Sequence, residues 1–139
     1  MGLTRIVTIE TRLEELNRLT EAVENLGEED NWSPALVGKV NLVLEELAIN
    51  TINHGHDGGL HDISITFSST KDALTIEMVD DGKPFDPLTD APVPDVNAPM
   101  EERPIGGLGV FLVRKLMDEL TYRREEGRNH LTLVAYRAE

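Results

Sequence analysis

Asn41-Leu-Val-Leu-Glu-Glu-Leu-Ala-Ile-Asn-Thr-Ile-Asn-His-Gly55 carries two patterns at once. Val43, Leu44 and Leu47, with Leu36 and Val40 before them, recur every three or four residues and make the buried stripe of a helix. Glu46, Asn50 and His54 recur every fourth residue, so they line up along one side of the same helix. Ser33 suits the N-cap, Pro34 the first helical position and Gly55 the stop. A helix over residues 34–54 is expected, roughly 30 Å long at 1.5 Å per residue. A carboxylate and a carboxamide one turn apart can poise a base beside a hydrated metal. An isolated pair of this kind more often decorates a solvated face, so the rest of the chain must supply the context.

Upstream, Leu3–Thr11 holds the β-formers Ile6, Val7, Thr8 and Ile9 and predicts a first strand, at an edge. Leu13, Leu16, Leu19, Val23 and Leu26 then follow helical spacing, with Gly27 as the expected stop. Downstream, Ile63, Ile65 and Phe67 alternate, and so do Leu74, Ile76 and Met78. Together they predict an antiparallel hairpin turning at Lys71-Asp72, with one face covered. Residues 88–105 show no period and contain Pro92, Pro94, Pro99 and Pro104. So long a loop in a small domain is usually functional or disordered. After Gly106-Gly-Leu-Gly109 a helix is expected through Val110, Val113, Met117 and Leu120. Strands over 121–125 and 130–137 follow, with a turn at Gly127-Arg-Asn129. The order βα, αββ, loop, αββ suits an α+β fold. It would be a two-layer α/β sandwich with helices on one face of a mixed, mostly antiparallel sheet.

Composition narrows the function. The 139 residues suit one domain, and 26 acidic against 13 basic residues give a net charge of −13. That argues against nucleic acid as a partner, because phosphate contacts need clustered Lys and Arg. With no cysteine, disulfides and thiolate metal sites are excluded. No apolar run spans a membrane and no signal core opens the chain, so a cytoplasmic location is expected.

Two further segments carry chemistry. Asp80-Asp81-Gly82 places a carboxylate just past a strand, before a glycine that lets the chain turn. It can accept a charge-assisted hydrogen bond, for example from the exocyclic amine of adenine. An ordinary Asp-Gly turn is the simpler reading on its own. Gly106, Gly107, Leu108 and Gly109 open a helix, where backbone amides approach phosphate and the helix terminus favours anions. No GxxxxGK[ST] is present, and a Rossmann fingerprint would need a strand just before the glycines and a glycine at Leu112. Arg103 is a candidate for terminal phosphates, and His54 for either helix capping or a phosphate. A hydrolase triad lacks its elbow signature.

Taken in order, Glu46–Asn50–His54, Asp80-x-Gly82 and Gly107-x-Gly109 resemble the N, G1 and G2 boxes of the GHKL (Bergerat-fold) ATPases. The wording Glu-Leu-Ala-Ile-Asn-Thr-Ile-Asn-His-Gly, Asp-Asp-Gly-Lys-Pro-Phe-Asp-Pro and Gly-Gly-Leu-Gly-Val-Phe-Leu-Val-Arg-Lys-Leu-Met-Asp is similar to the anti-sigma-factor serine kinases of the RsbW/SpoIIAB type. The resemblance implies a single HATPase domain over residues 1–139, with residues 88–105 as an ATP lid. It implies ATP and Mg²⁺ as cofactors, Asn50 on the metal and Glu46 as catalytic base. Asp80 and Gly82 would sit at the adenine, and Gly106, Gly107, Leu108 and Gly109 at the phosphates, with His54 and Arg103 beside them. The implied activity is γ-phosphoryl transfer to a serine of a STAS-domain antagonist, with a sigma factor as the alternate partner and a homodimer as the assembly. The alternative is an ATP-binding partner-switch module with weak or no kinase activity. No phosphoacceptor-histidine helix or transducer domain is expected. The family's threonine-bearing stretch before the last strand, implied to touch phosphate, reads Gly127-Arg-Asn-His-Leu131 here.

Overall fold

The computed structural model describes residues 2–54, 61–84 and 113–137, with the side chains of 53 and 54 excepted. Among the described residues five strands form one sheet: β1 (Leu3–Glu10), β2 (Asp62–Ser69), β3 (Ala73–Asp80), β4 (Glu119–Glu125) and β5 (Arg128–Tyr136), in the order β1-β2-β3-β5-β4. The sheet, expected to be mixed and mostly antiparallel, is antiparallel in all four pairings among the described residues. β1 is an edge strand, as its short β-forming run suggested.

Period-two patterning sorts the faces. Ile63, Ile65 and Phe67 of β2, Leu74, Ile76 and Met78 of β3, and Leu131, Leu133 and Ala135 of β5 are buried on one face. Two helices, α1 (Leu16–Glu29) and α2 (Pro34–His54), share this core through Leu19, Val23, Val40, Val43, Leu44 and Leu47. At about 25 cal/mol per Å² of apolar surface removed from water, this shared layer is the main stabilising term.

The α2 boundaries agree with the sequence. Ser33 Oγ accepts from the Leu36 amide at 3.1 Å, which satisfies one donor of the first turn. α1 departs from expectation in two ways. It is preceded by a 3-10 turn, Leu13–Glu15, and it runs through Gly27 to Glu29. Its end is a left-handed cap on Asn31 (φ 55°), with the Trp32 amide donating to Gly27 O at 2.8 Å. Gly27 serves packing instead: a Cβ there would meet Val37 Cγ2 at 2.6 Å and Trp32 Cε3 at 3.4 Å.

The C-terminal hairpin also differs. β4 begins at Glu119, so Leu120 is a strand residue, and residues 113–116 are the helical ones described ahead of it. The turn is Glu126-Gly127, both with positive φ (52° and 75°), a two-residue type I′ connection. Arg128 and Asn129, expected in the turn, are therefore strand residues, and Asn129 pairs directly with Asp80.

Two polar knots tie the layers together. Asp30 accepts from Trp32 Nε1 (2.9 Å), Ser69 Oγ (2.7 Å) and Arg137 Nη1 (2.8 Å). Arg137 also donates to Thr70 O and Asp30 O. The connection between the helices, the β2–β3 turn and the end of the last strand thus meet at one carboxylate. Burial raises the Asp30 pKa. Hydrogen bonds from Ser69 and Trp32, with the charge of Arg137, outweigh that and leave it below its ordinary value. At the other knot, Glu15 is buried. The Glu10 amide donates to Glu15 Oε1 at 3.1 Å and Arg18 at 2.8 Å. The backbone hydrogen bond, aided by Arg18 and Arg12, lowers its pKa despite desolvation.

Candidate functional site

Helical geometry separates the two adjacent glutamates of α2. Glu45 is exposed, whereas Glu46 is half-buried, on the same side as Asn50 one turn later. The sequence repeat has thus turned a carboxylate and a carboxamide inward, next to the core residues Leu47 and Ala48. Asn50 is half-buried, and its Nδ2 is fully enclosed with no hydrogen-bond partner among the described residues. A polar atom left so costs about 1–3 kcal/mol. A half-turn about the last side-chain bond exchanges the amide nitrogen and oxygen, so either a donor or an oxygen ligand can be presented. His54 is the last residue of α2, and its side chain lies outside the described residues.

At the end of β3 the second segment is well defined. Asp80 Oδ1 accepts from the Gly82 amide at 2.9 Å, closing the Asp80–Gly82 turn on itself. The same oxygen accepts from Asn129 Nδ2 at 3.1 Å. Asn129 is 7% exposed. Its Nδ2 also donates to Lys83 O at 2.8 Å, and its Oδ1 accepts from Tyr122 OH at 2.5 Å and Arg124 Nη1 at 3.2 Å. Arg124 Nη1 reaches Gly82 O at 2.7 Å. Sequence reasoning singled out Asp80 and Gly82 as candidates but not Asn129, Tyr122 and Arg124, which the structure joins to them. Gly127 was the one sequence signal for the turn; Glu126, whose positive φ with that of Gly127 fixes the β4–β5 register, gives none.

Gly106, Gly107, Leu108, Gly109, Arg103 and the expected lid at 88–105 lie outside the described residues. A cavity of about 510 Å³ is lined by Thr8, Ser64 and Val79 with His61, Asp62, Asp80, Asp81 and Arg128, so it reaches the Asp80 turn. Thr8, Ser64 and Val79 alternate with the core residues of their strands, so this groove is on the sheet face away from the helices and takes neither Glu46 nor Asn50. Among the described residues no group of three or more His or acidic side chains could hold a metal, and no helix is long and apolar enough to cross a membrane.

A layered sheet with an inward Glu and Asn on the long helix and an Asp-x-Gly turn at a strand end agrees with one family model. The histidine kinase-like ATPase domain matches residues 9–135. The chain belongs to this family. Among its relatives, the serine/threonine-protein kinase BtrW of Bordetella bronchiseptica is 31% identical over 120 residues, covering 84% of this chain and 82% of BtrW. The serine-protein kinase RsbW of Bacillus cereus is 32% identical over 91 residues, covering 63% of this chain and 57% of RsbW, so the match spans little more than half of that relative. In fold, the chain is similar to the Acinetobacter baumannii histidine kinase AdeS, with a TM-score of 0.54 over 97% of this chain and 70% of that one, at 13% identity. The family confirms the expected fold and the use of ATP; the roles of individual residues belong to the proposal below.

Proposed function

We propose that this chain is an ATP-dependent protein-serine kinase that acts as an anti-sigma factor by partner switching, with a STAS-domain antagonist as its substrate. The single observation that carries the reading is Asn50: an enclosed amide atom without a partner among the described residues, one turn from an inward carboxylate. Relatives named as serine kinases support the reaction class.

Each residue then has a task. Glu46 accepts the proton of the attacking serine hydroxyl as the γ-phosphoryl group is transferred. Asp80 accepts a hydrogen bond from the adenine amine, with Gly82 allowing the base to lie close. Gly106, Gly107, Leu108 and Gly109 supply backbone amides to the phosphates, with Arg103 and His54 as further cations or donors. Asn50 would hold Mg²⁺ through its amide oxygen. A single carboxamide fits, because magnesium usually takes one or two protein oxygens and fills its shell with water and phosphate. When bound, Mg²⁺ neutralises charge on the phosphates. Positioning and charge neutralisation dominate this chemistry, so so few groups suffice. The protein works in the cytoplasm as a homodimer, and a sigma factor is its partner when the antagonist is absent.

The test is incubation of the full chain with γ-labelled ATP and candidate STAS-domain proteins. Label on a partner serine that disappears with Glu46→Gln, while ATP still binds, supports the kinase. Tight partner binding without label would replace it by the partner-switch module, and phosphate release without a partner by a simple ATPase.

A further inference from the structure

Asp80, Asn129 and Arg124 stand abreast on three neighbouring strands, since Asp80 pairs with Asn129 across β3–β5 and Arg124 pairs with Asn129 across β4–β5. The orientation of the Asn129 amide follows from chemistry alone. Arg124 can only donate and the Lys83 carbonyl can only accept. The amide oxygen must therefore face Arg124, and its NH₂ must face Lys83 O and Asp80. A flipped amide would set donor against donor and acceptor against acceptor. Tyr122 OH completes the second lone pair of Oδ1.

This locked amide acts on Asp80. Both donors among the described residues that reach the Asp80 carboxylate, the Gly82 amide and Asn129 Nδ2, bind the same oxygen, Oδ1. The carboxylate plane is thereby fixed, and no hydrogen bond among the described residues engages Oδ2. Arg124 ties the same unit to the turn by holding Gly82 O, while Asn129 holds Lys83 O. The Asp80–Lys83 turn is thus clamped from the edge strand β4, through a residue 49 positions away from Asp80.

We infer that Asn129, set by Tyr122 and Arg124, is a positioning residue that aims Asp80 Oδ2 at the amine of the purine and so sets base specificity. The inference rests on the proposed role of Asp80 at adenine. A pinned acceptor rewards an amine at the purine 6-position and repels a carbonyl there. An unpinned carboxylate rotates, and discrimination falls even though Asp80 is still present.

The experiment compares ATP with inosine triphosphate, which carries a carbonyl in place of the amine, by equilibrium binding to the full chain and its variants. Wild type is expected to prefer ATP, and Asp80→Asn to remove most of that preference. Tyr122→Phe, which deletes one oxygen and keeps the ring, and Asn129→Ala are expected to weaken ATP about three- to tenfold while leaving inosine triphosphate unchanged. ADP should weaken in step with ATP, because the defect is at the base. If Asp80→Asn leaves the preference intact, the adenine role of Asp80 fails and the inference with it. If Asp80→Asn removes the preference but Tyr122→Phe and Asn129→Ala retain it, or weaken both nucleotides equally, the clamp is structural only and the inference alone is overturned.

Discussion

Gly27 of α1 lies so close to Val37 of α2 that an added Cβ would stand 2.6 Å from Val37 Cγ2. Helix propensity alone favours alanine over glycine by roughly 1 kcal/mol. The contact reverses that sign, because overpacking costs about 1–3 kcal/mol. Gly27→Ala is expected to lower unfolding stability in urea, and Val37→Ala added to it should recover part of the loss. Gly38 is the control: it is exposed in α2, and a Cβ there meets nothing within 4 Å. Gly38→Ala should raise stability by roughly 0.5–1 kcal/mol. Equal shifts at the two glycines would contradict the packing role of Gly27.

Asp30 gives the fold an acid-sensitive joint. Its pKa is lower folded than unfolded, because the donors from Ser69, Trp32 and Arg137 outweigh its burial. A carboxylate with a depressed folded value contributes in full above its unfolded value, near about 4. The contribution disappears as pH falls through the lower, folded value. Stability should therefore hold from neutrality to about pH 5 and drop below about pH 4. Asp30→Asn should flatten that acid limb, and Arg137→Met should cost about 2 kcal/mol at neutral pH by leaving the carboxylate short of its charged donor. Thermal melts from pH 3 to 7 check both, and an acid limb unchanged in Asp30→Asn would refute the assignment.

These tests rest on residues that the sequence exposed unequally. α2 was legible because Ser33, Pro34 and a three-four apolar rhythm all agree, and β2–β3 because Ile63, Ile65, Phe67, Leu74, Ile76 and Met78 alternate without exception. Gly27 misled because a missing Cβ can serve a helix crossing as well as a helix end; Asn31 makes the end instead. The expected last turn, Gly127–Asn129, began one residue late and ended two residues late because Glu126, with positive φ, is no turn signal in sequence. That displacement concealed Asn129, whose partner Asp80 lies 49 residues earlier and is reached only through strand register. Local patterns thus singled out Glu46, Asn50, Asp80 and Gly82 as candidates, while the support for Asp80 is a property of the sheet.

Glu45 and Glu46 offer an internal comparison for the base. Both are carboxylates on adjacent positions of α2, but only Glu46 is half-buried. Glu46→Gln keeps the shape and removes the proton acceptor, so phosphoryl transfer should fall about 10²- to 10⁴-fold. ATP affinity should stay within about twofold, as expected when an interaction acts only in the transition state. Glu45→Gln should leave both unchanged. Loss of transfer in Glu45→Gln with Glu46→Gln active would exchange the two assignments, and loss of ATP binding in Glu46→Gln would make it a binding residue.

Asn50 separates stability from function. Its enclosed Nδ2 has no partner among the described residues, so the folded state bears a desolvation cost of about 1–3 kcal/mol. Asn50→Leu keeps the branching and the number of side-chain heavy atoms beside Leu47 and Ala48 and removes the uncompensated amide. It is expected to leave the ligand-free protein equally stable or up to about 1–2 kcal/mol more stable. Nucleotide binding should change the other way. Adding Mg²⁺ should strengthen ATP binding to wild type and leave binding to Asn50→Leu unchanged, with about tenfold weaker affinity than wild type at saturating Mg²⁺. Calorimetric titration of ATP with and without a chelator, beside urea unfolding of the same samples, reads both effects. A variant that loses stability and keeps its Mg²⁺ dependence would make Asn50 an ordinary structural amide.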